Sequence, residues 1–255
     1  IKGNASSSTN LALNIDSNAT FTHNSGTILF DGTNTFGGSS YGHFYFGDKT
    51  FNDITINASG KFIQPRKSND STLDINGDLT ITAGQLSNYN NGISWDIAGD
   101  VDVSGTLGIT DSTGAYSFGG IRINSGGTYN ATSGTTTVTN RFTGTSNLWK
   151  NDGGTFNHNN GTVKFTDNDH SLVKELTFYN LEQASSLGDY ALSWETQSGT
   201  ACTILGNLTI TRGDFEIHAA GNTLDIHGQT ILNGSSDTGA RFNNDKNQTG
   251  TITHH

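Results

Sequence analysis

Three kinds of side chain in this 255-residue chain could do chemistry: one thiol, eight imidazoles and 23 carboxylates. Cys202 sits in the alternating run Ala-Cys-Thr-Ile, 129 residues after Leu73 in the similar run Thr-Leu-Asp-Ile. An apolar residue at the matching position marks it as a buried, inert thiol, and no His–Asn pattern accompanies it as a nucleophile would require. His23 and His158 each precede Asn and a turn Gly, in HNSG and HNNG. A histidine that recurs with its turn reads as part of the turn. Glycan hydrolysis or elimination needs acids and bases that converge on one face. Asp74, Asp96, Asp100, Asp102 and Asp225 fall on outward positions of alternating runs, but Asp74, Asp96 and Asp225 hold one place in a recurring Leu/Trp-Asp-Ile triplet. The four Glu and five Arg are scattered. The expectation is therefore no enzyme, no catalytic residue and no cofactor.

Metal binding was tested on two oxygen-rich stretches, Asp167-Asn-Asp169 and Asp245 to Gly250. Neither completes a calcium loop, whose last position is a bidentate acid, and the nonapeptide GGxGxDxUx of calcium-binding solenoids is absent. No metal site is expected. Thr-x-Thr pairs begin at Thr20, Thr80, Thr137, Thr209 and Thr251. A flat array of such pairs is one way to bind ice, which stands as a minor alternative, but the spacing is irregular.

Two stretches are candidates for binding. Between Phe30 and Thr50 the chain carries about eight residues more than its counterpart further on, including Tyr41, His43, Phe44, Tyr45 and Phe46. Alternation sends Phe44 and Phe46 inward and leaves Tyr41, His43 and Tyr45 outward, where aromatic rings can stack on sugars or on another protein. The second stretch is FIQPRKSND, in which Lys61, Arg66 and Lys67 surround the only Pro. It reads as a basic bulge off an acidic scaffold.

The elements that position these residues follow from repeats on two scales. LDINGDLTI from Leu73 matches WDIAGDVDV from Trp95 at an offset of 22, and Gly206 and Gly228 are also 22 apart. Each unit is an alternating apolar–polar triplet, a corner Gly and a second triplet, the period of a strand with one buried face. On the longer scale ATFTHNSGTILF from Ala19 matches GTFNHNNGTVKF from Gly154 at 135, TFNDI from Thr50 matches TFYNL at 127, and Gly77 matches Gly206 at 129. TGA at Thr113 matches TGA at Thr238, and GTIT at Gly250 matches GTYN at Gly127.

These repeats predict an all-β chain folded as a parallel β-helix, or β-solenoid, with rungs of about 22 residues. Two tandem long repeats, residues 1–135 and 136–253, form one continuous solenoid, and His254 and His255 read as a purification-tag remnant. A pair of β-sandwiches is the alternative fold. Sandwich strands, however, have no reason to repeat one register and one corner Gly. The stretch SLVKELTFYNLEQ from Ser171 aligns with TFNDITI and so reads as strand.

Composition agrees with this architecture. Gly 33, Thr 37, Asn 29 and Ser 25 make up 124 residues, and hydrophobic residues are only 31%. With a single Pro, 14% charged residues and 24 aromatic residues the chain is nevertheless ordered. A net charge of −10 repels a phosphate backbone, so no nucleic acid is expected. No apolar run is long enough for a membrane span. Ile1 as the first residue and the absence of Met suggest an excised segment.

GTFNHNNGTVKF, TFYNL and NGDLTITAG resemble the β-solenoid repeat regions of large bacterial cell-surface adhesins. The resemblance covers both copies and implies a structural or adhesive module of an extracellular, cell-surface fibre or stalk. Its expected partners are further repeats or copies stacked end to end, with surface glycans or another protein as contacts. A glycan-binding or glycan-cleaving β-helix is the alternative.

Overall fold

The computed structural model describes residues 11–32, 40–66, 72–89, 92–145, 147–167, 176–185, 191–194, 201–217, 222–234, 240–244 and 251–255. No helix occurs among them, and all paired strands run parallel in a β-solenoid. The coil has three faces, visited in turn.

The first face stacks β5 (Thr72–Ile75), β7 (Ser94–Ile97), β10 (Tyr116–Phe118), β13 (Thr135–Val138), β16 (Thr162–Phe165), β18 (Asn180–Ala184), the start of β21 (Leu208–Ile217) and β23 (Thr230–Leu232). The second stacks β2 (Thr27–Asp31), the start of β4 (Asp53–Arg66), the start of β6 (Leu79–Leu86), β8 (Val101–Val103), β11 (Ile121–Ile123) and β14 (Trp149–Asn151). Further along, its place is taken by β19 (Ala191–Trp194), the end of β21 and β24 (Ala240–Asn244). The third holds β1 (Leu11–Asn14), β3 (Tyr41–Tyr45), the ends of β4 and β6, β9 (Thr106–Leu107), β12 (Thr128–Asn130) and β15 (Thr155–Asn157). Its place passes to β17 (Leu176–Phe178), β20 (Ala201–Ile204), β22 (Thr223–Ile226) and β25 (Thr251–His254). Phe178 packs on Phe156 with ring centroids 5.6 Å apart, which joins the two stretches. The stretch Leu176–Ala184 is strand, as the alignment with TFNDITI implies.

Each inward position becomes a column through the rod. Leu73, Trp95, Tyr116, Thr136, Val163, Leu181 and Leu208 are in register on the first face, and all are buried. Trp95 lies flat on Tyr116, ring centroids 4.2 Å apart. A rod one side chain thick on each face needs few apolar residues, which explains the low hydrophobic content.

The turn length is adjustable. From Leu79 to Val101 is 22 residues and from Val101 to Ile121 is 20, whereas Ile121 to Trp149 takes 28. The extra length forms a loop closed by the bond from Phe142 N to Asn147 O.

The corner glycines have a steric cause. Gly99 N donates to Gly77 O at 3.0 Å, and Gly228 N donates to Gly206 O at 3.0 Å. A Cβ on Gly99 would meet Gly77 O at 2.4 Å, and one on Gly228 would meet Gly206 O at 2.2 Å. The residue after the corner adds a side-chain ladder. Asp53 Oδ1 accepts from Asp78 N and Asp78 Oδ1 from Asp100 N, at 2.9 and 2.8 Å. In the second copy Asn180 Oδ1 accepts from Asn207 N and Asn207 Oδ1 from Gln229 N, both at 2.9 Å.

Sequence equivalents do not share a face. Phe30 in β2 is on the second face and its match Phe165 in β16 on the first. TFNDI enters β4 on the second face, TFYNL enters β18 on the first. Leu73 is on the first face, Cys202 on the third. Every pair shifts by one face in the same direction, so the long repeat is a whole number of turns less one face. One alignment is corrected: Thr251–His254 stacks on β22 as Tyr116–Phe118 stacks on β7, which makes β10 its counterpart rather than Thr128–Asn130.

Candidate functional site

The extra aromatic residues of the first copy lie on the third face, where β3 pairs in register with the end of β4: Tyr41 with Phe62, His43 with Gln64 and Tyr45 with Arg66. The ring of Tyr41 lies on that of Phe62, centroids 4.9 Å apart, and Tyr41 is 44% exposed. Phe44 and Phe46 fill the core as alternation requires.

His43 departs from the expectation of an exposed ring. It is on the outward side of β3 but only 8% exposed, because Arg66 and Tyr89 cover it. Arg66 Nη2 donates to His43 Nε2 at 2.9 Å and Nη1 to Tyr45 Oη at 3.2 Å. A guanidinium has no acceptor, so His43 Nε2 is the unprotonated nitrogen and Nδ1 carries the hydrogen. Burial, and then the charge of Arg66, lower the His43 pKa. The guanidinium lies 3.4 Å from the centre of the Tyr89 ring, which is itself 51% exposed. His43 Nδ1 and Arg66 Nε are buried without a hydrogen-bond partner.

The expected basic bulge is instead strand. Pro65 is buried opposite Phe44, and Arg66 ends β4. A proline is tolerated there because β6 leaves the ladder at Leu86, opposite Ile63. Lys61 is half-buried beside Gly60, whose φ of +68° turns the corner within β4. Lys67 lies outside the described residues. Tyr89 and Phe62 were missed by motif reasoning. Tyr89 follows Arg66 by 23 residues and Arg66 follows Tyr45 by 21, so a one-turn offset applied to outward residues was the available signal.

Elsewhere the candidates are absorbed by the scaffold. Cys202 is buried between Leu176 and Leu224, and burial pushes its pKa well up. Ser25 N donates to His23 Nδ1 at 3.1 Å and Asn160 N to His158 Nδ1 at 3.0 Å, each closing a turn with two left-handed residues. Asp102 pairs with Arg122, whose guanidinium also covers Phe142 at 4.6 Å, and this bond to Asp102 raises the Arg122 pKa. The Thr-x-Thr pairs at Thr80, Thr209 and Thr251 fall on three different faces. Of the calcium-like stretches, residues 168–170 and 245–250 lie outside the described residues.

One cluster was not foreseen. Asp225, His227 and His255 bring three potential ligand atoms within 4.8 Å of one another. His255 Nε2 is 2.8 Å from Asp225 Oδ1 and His227 Nε2 is 3.2 Å from Oδ2, with both rings exposed. The two histidines are 28 residues apart, and only stacking of β25 on β22 joins them.

No protein-family model matches the chain, and neither a curated protein nor a solved structure shows significant similarity to it.

Proposed function

We propose that this chain is a structural segment of an extracellular, cell-surface fibre or stalk, extended end to end by further repeats or copies, which holds a contact surface away from its anchor. The observation that carries this reading is the use of the recurring polar residues. The corner Asp and Asn bind the backbone of the next turn, and the turn histidines bind their own backbone, which leaves the rod little but itself to serve.

End-to-end extension is supported by the column Cys202, Leu224, Ile252, whose members are 1%, 2% and 36% exposed. The outer strand β25 offers an unpaired ladder edge and a partly bare apolar column to one more turn, and such edges drive association. Small-angle scattering and sedimentation over a concentration series test this. An elongated particle that lengthens with concentration, and stops lengthening in Ile252→Lys, is expected. A compact particle, or an invariant length, would overturn it. Glycan binding is a second reading, favoured by the exposed rings of Tyr41 and Tyr89 on the third face.

A further inference from the structure

The geometry points to an anionic polysaccharide, bearing carboxylate or sulfate groups, as the partner of the third face in the first copy. The inference rests on the contact-surface half of the reading above and names what is contacted.

The first support is the distribution of charge. The chain holds 23 acidic residues against 13 basic ones, yet β3, the end of β4 from Phe62, the end of β6 from Gln85, β9, β12 and β15 contain no Asp or Glu. Acids do stand on the first face at Asp74, Asp96 and Glu182, and on the second at Asp53 and Asp102. Arg66 therefore faces outward on a surface without a competing carboxylate, in a protein that repels anions almost everywhere else. Charge complementarity of this kind selects partners and speeds encounter.

The second support is the arrangement around that charge. Tyr41 is held against Phe62 with much of its surface bare, and Tyr89 is held by the Arg66 guanidinium. Tyr41 and Tyr45 are two strand pairs apart, a row of about 13 Å at the usual rise per residue. A sugar chain lying along β3 would cross Tyr41 and end with its anionic group against Arg66. Phe62 and His43 hold the platform in place, so little ordering is needed when a chain docks.

The third support is unspent hydrogen bonding. Both His43 Nδ1 and Arg66 Nε carry hydrogens and both are buried without an acceptor. Donors buried in this way are unfavourable. They lie beneath the Tyr89 ring, and an acidic oxygen that slid in beside that ring would complete both. The second copy has no matching surface on this face: β17, β20, β22 and β25 present Thr177, Thr203, Asp225 and Thr253 outward.

Isothermal titration with polygalacturonate, dextran sulfate and neutral dextran, in the presence of EDTA, tests the inference. Binding of the two polyanions but not dextran is expected, weakening as salt is raised. Tyr41→Ala and Arg66→Gln should each reduce affinity about tenfold, the loss that goes with one contact of this kind, while Thr155→Ala on the same face should not. Tyr41 is exposed, so its variant keeps the fold and the test does not hang on Arg66 alone. Equal binding of dextran would overturn the anionic partner while leaving glycan contact in place. Polyanion binding that survives both variants, or binding to none of the three, would overturn the site. In either case the rod is judged separately by its scattering.

Discussion

The third face changes character between the two copies while its framework stays the same. In the first copy it carries Tyr41, Tyr45 and Arg66 with Tyr89 against them, and no acid; in the second, β17, β20 and β22 carry Thr177, Thr203 and Asp225. Beneath both runs the same kind of apolar column, Phe44 on one stretch and Cys202 and Leu224 on the other. The difference teaches where selection for contact can act. Inward and corner positions are fixed by stacking, and only outward residues are free to differ. The one-face shift adds a consequence: a surface duplicated with the long repeat would not reappear on the same side of the rod. The end of β4 is on the third face, and its counterpart β19 is on the second.

If the framework is common to both copies, its corners must respond alike. Gly99→Ala and Gly228→Ala each force a methyl group against a carbonyl of the previous turn, at 2.4 and 2.2 Å. Each should lower stability by about 3 kcal/mol, the upper range for overpacking. Gly126→Ala, at φ +82° with open space around it, should cost about 1 kcal/mol through backbone conformation alone. Urea unfolding followed by far-UV circular dichroism separates these. A tolerated Gly99→Ala would break the claim that the corner ladder is sterically closed.

The side-chain ladder gives a smaller and sharper test, because the copies use different acceptors for one task. Asp78 accepts the backbone N–H of Asp100 as Asn207 accepts that of Gln229. Asp78→Ala and Asn207→Ala should each cost about 1 kcal/mol, the usual net value of one hydrogen bond. Asp78→Asn should cost much less, since the second copy already works with the amide. A loss in Asp78→Asn equal to that in Asp78→Ala would show that charge, and not the ladder, matters at this corner.

Much of this was readable from the residues. Stacking places like residues at one-turn offsets, so the 22-residue match of Leu73 with Trp95 and the recurrence of Gly at 77 and 99 are direct images of the ladder. What a sequence match does not carry is direction around the axis. Phe30 and Phe165 align whether or not they share a face, and only the pairing shows that they do not. The same limit explains the site. Alternation assigned Tyr41, His43 and Tyr45 to the outside of β3, but the cover over His43 comes from Arg66 and Tyr89, one and two turns away. Pro65 was misread because proline is excluded from paired strands, and the early departure of β6 that admits it is a property of the neighbouring turn.

The smallest effect concerns the turn that both copies share. His158 Nδ1 accepts the N–H of Asn160 at 3.0 Å, its ring lies 5.8 Å from that of Tyr179, and burial lowers its pKa from 6.5. Protonation would place a hydrogen where the Asn160 N–H already points, so the folded turn favours the neutral ring. With the folded pKa below the unfolded one, this contribution is fully present above about pH 6.5 and is lost as pH falls through the folded value. His43 acts in the same direction, its pKa lowered by burial and by Arg66. In His158→Asn the side-chain oxygen can accept the same N–H, as Asn does in turns, and does not titrate. Melting temperatures of the two proteins should agree at pH 8 and separate toward pH 5, with the parent protein falling further. The carboxylates are common to both and cancel in the difference. Parallel pH profiles would mean that the imidazole is not the acceptor that closes this turn, and the structural equivalence of His158 with His23 would lose its physical basis.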